Sequence, residues 1–342
     1  MRKYSEEKWT RFGIQMLRVA GLTRTEAETI VEVLITGSLR GIDSHGVRAL
    51  PYFTKKRRRG RMKILRRTSG TALLDANGAW GPVSARRSMD IAIEMARRNG
   101  IGSCSVVNGD WITNLSWFSM MAVQHSMIGM VFAREGPVCA PWGGTKSVMG
   151  TNPMSIAIPT GGKYPIVLDF ATTIAAQGHV KTLLLEGKPI PEGWLLDRNG
   201  NPVSGRALTL ETLDEFWKTG SLLPFGTYKG YGINLVIDIL GGALNLTGTG
   251  SRAKGQGTLS LAIKISAFSP VKKFEEEVTR LIEEIKASPV RPGFDEVLLP
   301  GEREYRLTEE RKREGIPIDE QSWQDITKTC DQLGLNAAKL ME

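Results

Sequence analysis

One histidine of this chain has neighbours that suit proton transfer to a small acid. The chain holds three histidines, and His45 lies in "GIDSHGVRALPYF" (residues 41–53), between Ser44 and Gly46. Imidazole can give or take a proton near neutral pH. Arg48 follows three residues later, and a guanidinium can bind a carboxylate through two parallel hydrogen bonds. A proton donor close to a carboxylate anchor suits the reduction of a 2-oxo acid; a structural histidine in a turn is the alternative.

Other kinds of site find no support in the sequence. No G-x-G-x-x-G follows a strand and no G-x-x-x-x-G-K-[ST] occurs, which argues against a Rossmann dinucleotide site and a P-loop. No G-x-S-x-G elbow of a hydrolase is present. His45, His125 and His179 lie far apart, so we predict no metal site. Three cysteines lack the C-x-x-C spacing of a disulfide framework or thiolate metal site: Cys104, Cys139 and Cys330.

The segment that carries His45 is predicted to follow a helix. Thr25 and Glu28 have the spacing of a capping box. The apolar residues after them recur at helical spacing, and they are Ala27, Ile30, Val31, Leu34 and Ile35. Gly41 suits a helix end. His45 is therefore expected just past a rigid helix terminus.

Helices and strands alternate in the middle of the chain. Helices are predicted over residues 5–19, 82–98 (ending at Gly100), 113–125, 271–287 and 319–340, and 230–244 reads as an apolar, buried helix. Strands are predicted over residues 103–107, 128–133, 155–158, 164–173 and 258–267. A Gly- and Pro-rich segment, residues 136–162, is longer than most loops, which indicates a functional role.

Composition limits the partners. The 342 residues are 41% hydrophobic and 24% charged, as in soluble globular proteins. With neither a long apolar run nor a signal peptide, we expect a cytoplasmic protein that does not enter the membrane. Residues 55–67, "KKRRRGRMKILRR", contain nine basic residues, which account for the net charge of +9. One basic segment without interleaved aromatic residues is more typical of a solvated loop, or of local attraction for anionic ligands, so nucleic-acid binding is unlikely.

Several blocks together point to one family. They are "RGIDSHGVRALPYF", "GGTKSVMGTNPMSIAIP", "IVLDFATT", "GKPIPEGWLLDRNGNPV", "LLPFGTYKGYGINLVIDILGGAL" and "KASPVRPGFDEVLLPGE". In this order they resemble the malate/L-lactate dehydrogenase family of NAD(P)-dependent oxidoreductases that lack a Rossmann fold. That family includes malate, sulfolactate and ureidoglycolate dehydrogenases, 2,3-diketogulonate reductase and Δ1-piperideine-2-carboxylate reductase.

The resemblance implies an α/β fold with a non-Rossmann, mixed-sheet cofactor domain and a helical domain formed by both chain ends. It places residues 76–289 in the NAD(P)-binding and catalytic domain. Residues 1–75 and 290–342 would form the helical domain. The resemblance also implies a homodimer whose subunits together form each site.

Site residues follow by matching position. His45 is expected to give or take the proton, and Arg48 and Asn152 to contact the substrate, with Arg48 holding the carboxylate. The expected cofactor-binding residues are Ser44, Thr151, Asp169, Phe170, Ala171, Thr172, Thr173, Tyr228, Lys229, Gly230, Gly301 and Glu302.

One departure from the family pattern lies near the expected site. Family members usually carry a second histidine in a segment like "NSNHFG". Here "VVNGDWITNLSWF" takes its place, with Trp111 at the histidine position. Indole offers one hydrogen-bond donor and no titratable base. His45 is then the remaining imidazole for proton transfer, and the substrate pocket is expected to be rebuilt.

The leading hypothesis is an oxidoreductase that transfers hydride between NAD(P) and a small 2-oxo or 2-hydroxy acid of the malate or lactate type. We favour NAD over NADP, although Lys181 and Arg198 could attract a 2′-phosphate. Trp111 as a flat wall motivates an alternative, a cyclic-imine or ketimine reductase of the Δ1-piperideine-2-carboxylate type. A third hypothesis is a binding protein that resembles a dehydrogenase but has lost catalytic activity.

Overall fold

A computed structural model describes residues 2–56 and 60–342. The α-helices are α1 (Glu6–Val19), α2 (Arg24–Leu39), α3 (Gly81–Asn99), α4 (Leu115–Val123), α5 (Gln177–Leu185), α6 (Leu210–Phe216), α7 (Tyr228–Asp238), α8 (Val271–Lys286), α9 (Glu302–Glu314), α10 (Glu320–Gln332) and α11 (Ala337–Met341). The strands are β1 (Arg2–Tyr4), β2 (Lys63–Arg67), β3 (Thr71–Asp75), β4 (Ile101–Gly109), β5 (Met127–Arg134), β6 (Met154–Ile158), β7 (Ile166–Phe170), β8 (Ile190–Leu196), β9 (Pro202–Gly205), β10 (Ser221–Leu222), β11 (Gln256–Lys264) and β12 (Ile316–Ile318).

The central sheet is mixed, and its strand order is β2-β3-β4-β11-β5-β6-β7. Only the β3–β4 pair is parallel, and α3 connects these two strands; the other neighbours run antiparallel. A Rossmann sheet is parallel with a different strand order. The predicted non-Rossmann α/β fold is therefore confirmed.

Helices α3 and α4 pack on the sheet because each presents an apolar stripe to it. Buried Met89, Ile93 and Phe118 meet the sheet residues Val131 and Ala262 in one core. The predicted helix over 82–98 is confirmed, and Gly100, at φ +84°, ends it.

Both ends of the chain contribute to a helical layer. Trp9 and Phe12 of α1 meet Trp323 of α10 in one aromatic core, with the Trp9 and Trp323 ring centroids 6.3 Å apart. Strands β1 and β12 pair antiparallel and join the two chain ends. The proposed domain limits remain a prediction, but β2 and β3, within residues 1–75, lie in the central sheet.

A smaller unit follows β7. Strands β8, β9 and β10 form an antiparallel sheet, and Val180 of α5 and Leu213 of α6 share a core with Leu195 of β8. In the parts of the chain described here, no helix is long and apolar enough to cross a membrane.

Two helix boundaries differ from the sequence prediction. The capping box uses Thr23 and Glu26, not Thr25 and Glu28, since Thr23 is the last extended residue before α2. The terminal helix predicted over 319–340 is divided into α10 and α11, because Gly334 takes a left-handed φ of +72°.

Two surface segments differ as well. Residues 230–244 were predicted to form a buried helix, but this segment packs on the sheet through one face only. Four of its apolar residues are therefore at least 42% exposed, and they are Leu235, Val236, Ile239 and Leu244. The basic segment 55–67, expected to be a loop, ends in the exposed edge strand β2. Residues 57–59 of that segment lie outside the described residues.

Candidate active site

His45 lies in a tight turn built on the end of α2. Gly41 ends that helix at φ +77°, and the Ile42 N–H donates to the carbonyl of Gly37 over 2.8 Å. The turn, Asp43–His45, passes so close to α2 that a Cβ on Gly37 would lie 2.8 Å from the His45 carbonyl oxygen. The helix end therefore fixes the backbone of His45, as the sequence predicted.

Two neighbours hold the imidazole of His45. Its Nδ1 is 2.8 Å from the Ser44 hydroxyl, which can either donate or accept and so can follow a change of tautomer. The Trp111 ring lies 5.3 Å away, centroid to centroid. Burial among these groups lowers the pKa of His45 to about 4. The ring is therefore neutral at pH 7, the form that can accept a proton.

Trp111 contacts the His45 ring but does not line the cavity that His45 lines. Its ring contacts Tyr52 and Phe53 at centroid distances of 5.3 and 6.3 Å. The flat wall that motivated a ring-shaped substrate is therefore not formed by Trp111.

The cavity in front of His45 has a volume of about 460 Å³. The turn at His45, the end of β7, the first residues of α4 and the start of α9 meet around it. Seven of the predicted site residues line it, and they are Ser44, His45, Thr151, Asp169, Phe170, Ala171 and Gly301.

Three carboxyl groups line the same cavity, those of Asp169, Glu135 and Glu304. Burial raises the pKa of Asp169 to about 6, although its Oδ2 accepts the Ser116 N–H at the start of α4 over 2.9 Å. Burial also raises the pKa of Glu135, whose Oε2 accepts the Thr151 hydroxyl over 2.7 Å. The cavity therefore contains two carboxyl groups with raised pKa values, and that of Asp169 lies close to neutral pH.

Arg48 and Asn152 do not line this cavity. The Nη2 of Arg48 lies 3.1 Å from Asp319 Oδ2 at the start of α10. The buried Asn152 accepts the Glu135 N–H at 3.0 Å and donates to Asn234 Oδ1 at 2.8 Å. Their contact with substrate stays a prediction. The side-chain amide of Asn152 is hydrogen-bonded to other residues, whereas the Nε of Arg48 is shielded from solvent and finds no partner among the described residues.

Other expected cofactor residues support the cavity from outside. The buried Thr172 hydroxyl donates to the Thr151 carbonyl, and that of Thr173 to the Ala175 carbonyl. Glu302 accepts from Lys286, Arg306 and the Leu299 N–H. Burial would raise its pKa, but these donors hold it at about 2.

The start of α7 lies away from the cavity. Tyr228 is 61% exposed, and Lys229 beside it is also exposed. Gly230 is buried, and a Cβ there would meet the Phe225 carbonyl oxygen at 1.9 Å. None of these three residues lines the cavity, and their contact with a cofactor stays a prediction.

Sequence reasoning missed several residues that line the cavity: Arg40, Thr113, Asn114, Glu135 and Glu304. Thr113 and Asn114 lie in "DWITN", the segment in which the chain departs from the family pattern, and this departure was the available signal. Arg40 directly precedes Gly41 at the predicted helix end, but no local pattern shows that its side chain is buried.

Comparisons with known proteins agree with this geometry. Residues 4–327 match the model of a family described as malate/L-lactate dehydrogenase. A malate dehydrogenase of Pyrococcus abyssi is 31% identical over 349 residues, which cover 96% of this chain and 94% of that one. The solved structure of sulfolactate dehydrogenase from Methanocaldococcus jannaschii has a TM-score of 0.88 at 30% identity, with both chains fully covered.

A more distant structure shares the fold alone. Δ1-Piperideine-2-carboxylate reductase from Pseudomonas syringae has a TM-score of 0.82 at 19% identity and covers 96% of this chain and 100% of that one. At this identity the likeness indicates architecture and carries no information on substrate.

Proposed function

Since this chain belongs to the malate/L-lactate dehydrogenase family, we propose that it uses NAD(P) to interconvert a small 2-hydroxy acid and the corresponding 2-oxo acid. The observation that carries the proposal is the position of His45, a neutral imidazole in the wall of a cavity of about 460 Å³. Relatives named as dehydrogenases support an oxidoreductase acting on a CH–OH group.

The cavity residues fit a nicotinamide cofactor. Phe170 and Val167 offer apolar surface for a flat ring, and the carboxyl groups of Glu135 and Asp169 can accept hydrogen bonds from a carboxamide or a hydroxyl group. When bound, the cofactor would supply or accept the hydride. We propose NAD in preference to NADP.

His45 would perform the proton transfer. In the oxidative direction the neutral imidazole takes the proton of the substrate hydroxyl, and in the reductive direction the imidazolium returns it to the carbonyl oxygen. Ser44 keeps the ring oriented in both directions because its hydroxyl pairs with Nδ1 in either tautomer.

The exposed face of α7 supports a homodimer. Val236 of α7 is 53% exposed, and Ile239 and Leu244, which follow the end of this helix, are 47% and 59% exposed. Exposed apolar surface of this kind is typical of an interface. Tyr228 and Lys229 begin the same helix, so a dimer through this face would bring them towards the partner's site. A cytoplasmic location is part of the same proposal.

The proposal is tested by a screen for oxidation of NADH and NADPH with small 2-oxo acids and cyclic 2-imino acids. We expect oxidation with at least one 2-oxo acid and a preference for NADH. Activity confined to the imino acids would replace the proposal with an imine reductase. If neither cofactor raises the melting temperature, the non-catalytic reading is favoured, because a ligand that binds the folded state stabilises it.

A further inference from the structure

The cavity contains a buried cation that lacks an anionic partner. Arg40 follows the last residue of α2, is 8% exposed and lines the cavity together with His45. Among the described residues its guanidinium forms no ion pair, and its hydrogen-bond partner is the Met120 thioether, 3.9 Å from Nη1. Thioether sulfur is a weak acceptor. The Nε of Arg40 is shielded from solvent and finds no partner in residues 2–56 and 60–342.

Two adjacent residues of the cavity wall also hold polar atoms without partners in the described part of the chain. They are the Thr113 hydroxyl and the Asn114 side-chain nitrogen. The Oδ1 of Asn114 accepts a hydrogen bond from the Ser116 hydroxyl over 2.7 Å. The N–H groups of the same amide are therefore the part that can donate to a ligand. Thr113 has a φ of +64°, which is costly for a β-branched residue and is found where a site requires it.

These three groups can all donate hydrogen bonds. Buried donors without acceptors destabilise the ligand-free state, and an anion with two oxygens would satisfy several of them. Asp169 and Glu304 line the same cavity, but neither comes within ion-pair distance of Arg40 in the described structure. Burial lowers the pKa of Arg40 and these two carboxylates oppose the shift; a guanidinium stays charged in either case.

We propose that Arg40, with Thr113 and Asn114, binds the carboxylate of the substrate, and that Arg48 does not. The Nε of Arg48 also lacks a partner among the described residues, but its Nη2 is paired with Asp319 at 3.1 Å and the residue does not line the cavity. This assignment rests on the proposed function, because it places the carboxylate of a 2-oxo acid in the cavity that His45 faces.

The test compares two ligands of similar size that differ in one end group. Oxamate has a carboxylate where oxamide has a neutral amide. Their dissociation constants are measured by calorimetry for the NADH-bound wild-type enzyme and for Arg40→Gln, Arg40→Lys and Arg48→Gln. We expect Arg40→Gln to weaken oxamate binding by about 10- to 100-fold, the range for a lost charge-assisted hydrogen bond, while oxamide binding is unchanged. Arg40→Lys should weaken oxamate binding less than Arg40→Gln does. Arg48→Gln should weaken it by less than about twofold.

Four results would overturn the assignment. They are a loss of oxamate affinity in Arg48→Gln alone, an equal loss for both ligands in Arg40→Gln, a loss of NADH affinity as the main effect, and no oxamate binding by the wild type. Thr113→Val removes a hydroxyl without removing charge, and its expected loss for oxamate is about threefold to tenfold. If Arg40→Gln does not fold, Arg40→Lys and Thr113→Val still decide the assignment. A wild-type enzyme that binds oxamate through Arg40 but reduces no 2-oxo acid would contradict the proposed function alone.

Discussion

The imidazole of His45 derives its properties from what surrounds it. Burial lowers its pKa, and the Trp111 ring is a large neighbour that contacts it without lining the cavity. Trp111 therefore replaces a titratable group with one that shields His45 from water. In the oxidative direction His45 must be neutral, so kcat/KM should fall only as the pH approaches about 4.

Removing this shield should move the pH profile. In Trp111→Ala water reaches His45, desolvation weakens, and the pKa rises from about 4 towards its ordinary value of 6.5. The acid limb of the oxidative kcat/KM profile should shift upward by more than about one pH unit. Trp142→Ala is the control, since Trp142 is 51% exposed and does not line the cavity. An unshifted limb in Trp111→Ala would show that Trp111 does not set this pKa.

The turn that carries His45 is joined to α9 by one ion pair. The Nη1 of Arg311 donates to Asp43 Oδ1 at 2.6 Å and its Nη2 to Asp43 Oδ2 at 3.1 Å. Nη1 also donates to the Ser38 carbonyl in α2. Gly301, which precedes α9, lines the cavity. Arg311 therefore fixes two walls of the site relative to each other.

Loss of the bidentate Arg311–Asp43 pair should disturb the position of His45 more than it weakens the binding of NADH. Arg311→Lys keeps the charge but cannot match the two carboxylate oxygens, so we expect kcat to fall by about tenfold with little change in the Kd for NADH. Arg313→Lys serves as the control, because the Arg313 side chain is 73% exposed. Equal kcat values for the two variants would remove the positioning role.

The sequence predicted most elements that local patterns specify. The helix over 82–98 and its end at Gly100 were found because an apolar stripe and a left-handed glycine are local signals. The capping box was misplaced because T-x-x-E begins at Thr23 and again at Thr25. The division between α10 and α11 was missed although Gly334 and Asn336 mark a helix stop and a new N-cap.

Site residues were harder to predict because their partners lie far away in sequence. Arg48 and Asp319 are 271 positions apart by their numbers, and nothing local to Arg48 indicates this pair. The burial of Arg40 likewise depends on how α4, β7 and α9 assemble around the end of α2. His45 was proposed from its residue type, from Arg48 three residues later and from the family resemblance, and the structure places His45 in the cavity wall but not Arg48.

For the molecule as a whole, the exposed face of α7 makes assembly testable. Val236→Asp places a charge in the proposed interface, so light scattering should show a shift from dimer to monomer. Leu281→Asp on α8 is a matched control, because Val236 and Leu281 are both 53% exposed. Unchanged mass for Val236→Asp, or dissociation of Leu281→Asp alone, would place the interface elsewhere.

The most direct measurement is the rate of NADH oxidation by the wild type and by His45→Asn, with the best 2-oxo acid found in the screen. We predict that the variant lowers kcat by about 100-fold or more, while its Kd for NADH stays within about twofold of the wild type. Equal turnover in the two proteins, or no oxidation that depends on a 2-oxo acid in the wild type, would contradict the proposed function.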